Sequence, residues 1–419
     1  MEIERGTPRY IVNIGCLALP QPFEGSLLGE PVKIKKNLWL EIKNGRISRI
    51  GHEGEPEPPG VEANNVFDAY SMLATPGLID SHTHPVFLNF RQSEFVRRCR
   101  GETYQQIAAA GGGILSSIRG VREANEEMLS ALIFNRLEGF LEFGVTAIEA
   151  KSGYGLSLAD ELKSLRSLKK AALDHPIEVS PTLLAAHVIP PEFRDNPDGY
   201  VDLVCNSIIP QAVEEKLANA VDVFLDDSAF NPKQTRRIFK VAKEAGLDLR
   251  LHADQFSVGK GAEIAAEFGA LTVDHMDYTD ENGIEALAKS GVTVVLLPGA
   301  VFFLGLEHYA PARMMIEKGC KVALATDFNP GSSPTQSLPL MMSLACIKMG
   351  MTPQEALWAA TMGGAYATKR QDELGSLMPG YQADICLWNA EDVEYLSYAY
   401  GSVRPEVVFK RGEVVSIFQ

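Results

Sequence analysis

Between residues 74 and 372 the chain repeats one pattern, a short apolar run followed by a longer stretch in which apolar positions recur every three or four residues. The eight runs are Leu78 to Ser81, Val145 to Ala150, Val179 to Ala186, Ala220 to Leu225, Asp248 to Leu251, Leu271 to Asp274, Val292 to Leu297 and Lys321 to Thr326. Apolar runs this short, separated by amphipathic stretches, read as buried strands alternating with helices around a parallel sheet. Helix starts are marked locally. Ser157 precedes Leu158, Leu162, Leu165 and Leu168 at helical spacing, and Thr352-Pro353-Gln354-Glu355 is a capping box with Pro in its first turn. Eight such units over roughly 300 residues predict an α/β fold, a (β/α)8 TIM barrel. A doubly wound open sheet is the alternative.

The two ends of the chain carry a different period. Leu38 to Ile50, LWLEIKNGRISRI, alternates apolar and polar residues on both sides of Asn44-Gly45, a strong hairpin signal. Glu53 to Gly60 is rich in Pro and Glu and reads as a loop. At the other end Ala383 to Trp388 is strand-like, and Val407 to Phe418 reads as a hairpin turning at Arg411-Gly412. Neither end has enough residues for a core of its own. Residues 1–73 and 373–419 are therefore expected to pair into one composite small β-sandwich domain, flanking a barrel over 74–372.

Composition narrows the function. With 46% hydrophobic and 22% charged residues the chain is ordinary globular material. The longest apolar run, Val292 to Leu306, is broken by Pro298 and glycine and falls short of a bilayer span, and the charged start MEIERGTPRY has no apolar signal region. Six well-separated cysteines without a CxxC pair suggest reduced thiols and a cytoplasmic location. A net charge of -15 argues against nucleic acid as a partner, and an anionic substrate would need a locally placed arginine.

The chemistry lies in the histidines. The stretch TPGLIDSHTH, Thr75 to His84, delivers His82 and His84 two residues apart at the end of the first predicted strand, where an extended backbone points both imidazoles to one side. Of eight histidines, five (His82, His84, His187, His252, His275) fall at or just past the carboxyl end of a predicted strand. In a barrel those ends converge on the face that carries the active site. Any one of them has an alternative as an ordinary hydrogen-bonded core residue; five at equivalent positions point to a site. His52, His175 and His308 have no such placement and read as structural or solvent-exposed. Asp327 ends the eighth strand, where a carboxylate can complete a shell of three histidines and one aspartate with a position left for water. Asp before Asn-Pro-Gly is also a common turn opener.

This arrangement resembles the amidohydrolase superfamily, with HxH after strand one, His after strands five and six, and Asp after strand eight. The fourth strand ends Leu225-Asp226-Asp227, without the lysine that bridges two metals in binuclear members, so the single-metal form is expected. The resemblance sharpens to the imidazolonepropionase family through AAAGGGI (Ala108 to Ile114), EAKSGYGLSLADELKSLR (Glu149 to Arg166), AAHVIPPEF (Ala185 to Phe193), HADQFS (His252 to Ser257), VDHMDY (Val273 to Tyr278), VVLLPGAVFFL (Val294 to Leu304) and ATDFNPGSSPTQSL (Ala325 to Leu338).

That resemblance implies hydrolysis of the cyclic amide of 4-imidazolone-5-propanoate to N-formimino-L-glutamate, a step of histidine degradation. It implies one zinc or iron ion per subunit on His82, His84, His252 and Asp327, and a homodimer acting on a small anionic imidazolone. Arg91, Tyr104, Tyr154, His187, Gln255, Asn329 and Gly331 would contact the substrate, Arg91 gripping its propionate, while His275, Asp327 and His187 would serve catalysis. Gln255 stands where some members have Glu; Gln cannot be a general base, so proton transfer passes to Asp327 or His275. Pro85 and Leu88-Asn89-Phe90 also make the loop after HxH bulkier than the family's pattern. Two other readings stay open: a related mononuclear amidohydrolase, such as a nucleobase deaminase or another cyclic amidase or peptidase, and a silent scaffold that keeps only the barrel.

Overall fold

The computed structural model describes residues 7–52, 55–56, 65–102, 106–107 and 110–418. The amino-terminal segment supplies β1 (Tyr10–Pro20), β2 (Val32–Lys43), β3 (Arg46–Ile50), β4 (Val66–Asp68) and β5 (Leu73–Pro76). β2 and β3 form the expected hairpin, with Lys43 opposite Arg46 and both Asn44 and Gly45 at positive φ, as its two-residue turn requires. Then come the barrel strands: β6 (Leu78–Thr83), β7 (Val145–Lys151), β8 (Glu178–Ala186), β9 (Ala220–Leu225), β10 (Asp248–Ala253), β11 (Thr272–His275), β12 (Thr293–Leu296) and β13 (Lys321–Leu324). The carboxyl-terminal β14 (Ile385–Trp388), β15 (Val407–Lys410) and β16 (Glu413–Ile417) return to the first sheet, in the order β16-β15-β14-β5-β1-β2-β3, with β4 beside β1.

Contributions from both termini meet in one apolar core. Ile11, Leu17, Leu40 and Phe67 from the start of the chain pack with Ile385, Leu387, Val407 and Phe409 from its end, and the rings of Phe67 and Phe409 meet edge to face at 5.0 Å. β14 pairs antiparallel with β5, Cys386 opposite Thr75, which ties the two ends together. The chain leaves this sheet for the barrel at Gly77. A Cβ there would lie 2.2 Å from the Thr146 hydroxyl oxygen, so glycine is required for the passage between sheets.

The eight barrel strands are parallel and hydrogen-bonded in sequence order from β6 to β13. The seam between first and eighth closes just beyond β13: Thr83 bridges Phe328, the Asp327 amide donates to the His82 carbonyl at 3.1 Å, and the His84 amide donates to Phe328 at 2.8 Å. Asp80, buried in β6, accepts from the amide and hydroxyl of Thr326 at 3.1 and 2.6 Å. Helices form where the pattern placed them. The Ser157 hydroxyl accepts from the Asp160 amide to start the helix Leu158–Leu173, whose Leu162, Leu165 and Leu168 are buried; burial of each stabilises the fold by roughly 1.5–3 kcal/mol. Thr352 and Glu355 form a reciprocal capping box. All six cysteines are free thiols, and among the described residues no helix is long and apolar enough to cross a membrane.

Candidate active site

Strand geometry brings the selected histidines to one rim. His82 lies in β6 and His84 just past its end, His252 lies in β10, His275 closes β11 and His187 follows β8, while Asp327 lies on the seam. His82 Nε2 lies 3.2 Å from His84 Nε2 and 3.6 Å from Asp327 Oδ1. His84 Nε2 is 3.4 Å from His252 Nε2 and 3.3 Å from Asp327 Oδ1. For bonds of 2.0–2.1 Å, the edge of a coordination tetrahedron is about 3.4 Å, so these spacings suit a shared cation, and the ligand atoms of His82, His84 and Asp327 all lie within 4.8 Å of one another.

The donor chemistry agrees. The His82 Nδ1 lies 2.6 Å from Asp274 Oδ2 and the His252 Nδ1 lies 3.0 Å from Asp222 Oδ1. With Nδ1–H donated to a carboxylate, each of these two rings turns an Nε2 lone pair toward His84, the arrangement of an imidazole poised to bind a cation. Burial, reinforced by neighbouring cationic groups, holds His82 and His84 well below the usual imidazole range, so both rings are neutral at physiological pH, the form that can bind a cation. The residues therefore fit a metal ion. His275 lies close enough to His82 and His252 to form a further group of three potential ligands.

Other predicted residues gather on the same rim. His187 stacks on His84 with ring centroids 5.5 Å apart, and Tyr154 lies 5.3 Å from His187 and 6.2 Å from His84. The SGYG loop explains both placements. The buried Glu161 carboxylate accepts from the amides of Gly153, Gly155 and Leu156 at 3.1, 2.8 and 2.8 Å, and the Gly153 carbonyl accepts from His187 Nδ1 at 2.9 Å. His187 is thereby left with Nε2 as an acceptor. Burial pushes both His187 and His275 down to about 3. His275, Met276 and Asp327 all have left-handed backbone, φ 76°, 61° and 52°, where the chain turns sharply at the end of a strand.

Arg91 and Gly331 meet, and the contact depends on the glycine. A Cβ on Gly331 would lie 1.4 Å from Arg91 Nη2. Both residues line a cavity of about 660 Å³, together with Phe90, Arg136 and Phe303. Arg91 Nε also faces Glu94 at 3.6 Å. Gly331 is joined to the Asp327 loop through Asn329, whose Nδ2 donates to the Asp327 carbonyl at 2.7 Å while its Oδ1 accepts from Gly331 and Ser332 at 2.7 and 2.8 Å. The Asn329 amide is thus engaged in shaping that loop. Gln255 is half-buried three residues past His252. Tyr104 lies outside the described residues.

Sequence reasoning missed Asp222, Asp274 and Lys151, all fully buried behind the imidazoles. The available signal was a charged residue at an inward position within an otherwise apolar strand, as in AVDVFL and VTAIEAK. It also missed Asp277, whose carboxylate lies 3.9 Å from His275 Nδ1 and which burial pushes up to about 8.

Comparison with known proteins places the chain in a family. Residues 73–415 match the family model described as "Amidohydrolase family". The imidazolonepropionase of Shewanella sp. (strain ANA-3) is 44% identical over 379 residues, covering 90% of this chain and 93% of that protein. That of Shewanella oneidensis is 44% identical over 376 residues, covering 90% and 92%. Among solved structures, 5-methylcytosine deaminase from Klebsiella pneumoniae, liganded with 5-fluorocytosine, superposes with a TM-score of 0.74 over 98% of each chain at 17% identity, a likeness of fold. The chain belongs to the amidohydrolase family and, within it, to the imidazolonepropionases.

Proposed function

We propose that the protein hydrolyses the ring amide of 4-imidazolone-5-propanoate to N-formimino-L-glutamate, as a cytoplasmic homodimer. The barrel over 74–372 would carry the site, with 1–73 and 373–419 as its companion domain. The observation that carries this reading is the convergence of His82, His84 and Asp327 donor atoms at 3.2–3.6 Å on one rim, with His252 3.4 Å from His84, in a chain 44% identical to imidazolonepropionases.

These four residues would hold one zinc or iron ion, whose Lewis acidity polarises a carbonyl and acidifies water. The remaining steps fall to the chain's own side chains. Arg91 pairs with the propionate and so offsets a net charge of -15 that disfavours anions. His187, its Nδ1 committed to Gly153, offers Nε2 to a ring N–H. Tyr154 packs against His187 and bounds the ring's position, and Gln255 hydrogen-bonds a ring amide. Asp327 takes a proton from the attacking water and hands it to the departing ring nitrogen; burial raises its carboxyl, which suits a group that must hold a proton briefly. Neutral His275 stabilises the developing oxyanion. One water is consumed, its oxygen going to the carbonyl carbon and one hydrogen to nitrogen.

The test is loss of the ultraviolet absorbance of 4-imidazolone-5-propanoate on adding purified protein. Turnover of that compound without ammonia release from purine or pyrimidine bases supports the reading. Deamination of a base without imidazolone turnover overturns it.

A further inference from the structure

Behind the metal-facing imidazoles the barrel encloses an ammonium group. Lys151, the last residue of β7, is fully buried. Its Nζ lies 3.0 Å from Glu149 Oε1, 2.8 Å from Asp222 Oδ2 and 3.8 Å from Asp274 Oδ2. Two of these carboxylates each hold one imidazole: Asp222 accepts from His252 Nδ1 at 3.0 Å and Asp274 from His82 Nδ1 at 2.6 Å. One cation therefore touches the carriers of two histidines from opposite sides of the barrel, on β6 and β10. Arg250 approaches the same cluster through Glu149, at 3.9 Å, and reaches neither carrier directly in these contacts.

Such a group is costly as mere filling. A buried ammonium loses several kcal/mol of hydration, and well-packed apolar residues of similar volume commonly serve stability as well or better. What an apolar residue cannot do is hold two adjacent carboxylates, whose mutual repulsion would otherwise swing them apart and take the rings with them. We propose that Lys151 is a positioning residue for the metal site, fixing Asp222 and Asp274 together so that His252 and His82 aim their Nε2 atoms at one point. The inference rests on the reading of His82, His84, His252 and Asp327 as a cation shell.

The probe is cobalt(II), titrated into metal-free full-length protein against a competing chelator and followed by its visible absorption. Lys151→Met alone leaves three carboxylates facing one guanidinium and can fail to fold. Lys151→Met combined with Glu149→Gln keeps the net charge of the cluster and spares both carboxylates that hold imidazoles. This double variant is expected to unfold cooperatively without metal, to bind cobalt 10–100-fold more weakly than wild type and to give an altered spectrum. A folded double variant with wild-type cobalt affinity and spectrum overturns the proposal and leaves the metal reading intact. Wild-type protein that binds no cobalt overturns the metal reading, and this inference with it.

Discussion

Asp327 donates its backbone amide to the carbonyl of His82 at 3.1 Å, and its carboxylate reaches to 3.6 Å from the same residue's Nε2. One of the bonds that close the barrel seam and one contact of the proposed ligand set thus join one pair of residues. Asp327→Asn separates the two roles. Asn tolerates the left-handed backbone found here, φ 52°, and keeps the seam bond while removing the anionic ligand. The variant is expected to retain its circular dichroism spectrum, to lose metal on gel filtration, and to lose turnover by on the order of 10²- to 10⁴-fold.

Gly331 is expected to act through Arg91. Because an added Cβ would sit 1.4 Å from Arg91 Nη2, Gly331→Ala must displace the guanidinium. Loss of a charge-assisted pair of about 1.5–3 kcal/mol corresponds to a rise in KM of roughly 10- to 150-fold, with kcat less affected. Arg91→Ala should give the same rise. Since both substitutions remove one interaction, the double variant should be no worse than either alone; steady-state kinetics on the four proteins checks this.

Glu178 links barrel to terminal sheet and should make stability acid-sensitive. Its carboxylate meets Arg370 at 2.7 Å, Arg411 at 2.8 Å and Lys410 at 3.2 Å. Burial opposes its ionisation, but Lys410, Arg411 and Arg370 together outweigh that and bring it down to about 2 from an ordinary 4.5. With the folded pKa below the unfolded one, the stabilisation is present above about pH 4.5 and is lost as pH falls toward 2. It amounts to at most about 3 kcal/mol, reduced by solvent screening of the partly exposed partners. Glu178→Gln should lower Tm by several degrees at pH 7, and melting curves of the two proteins should converge as pH falls through that window.

The barrel was legible because its strands, buried on both faces, leave short apolar runs, and because Ser157 and Thr352 mark helix starts with side-chain caps. Both terminal hairpins were legible from Asn44-Gly45 and Arg411-Gly412. At the site, position at strand ends singled out the histidines and Asp327. The layer behind them was not legible in the same way. Asp222 and Asp274 lie in strands whose apolar neighbours set the pattern, and nothing local pairs Asp274 with His82, 192 residues away. The contact between Arg91 and Gly331 depends likewise on two loops that meet only in the folded chain.

The most direct measurement takes metal content and imidazolone ring opening on the same protein preparation, before chelation, after it and after metal is restored. One zinc or iron ion per chain is expected, with turnover lost when that ion is removed and regained when it returns. Ring opening that continues at full rate in metal-free protein would contradict the role assigned to His82, His84, His252 and Asp327.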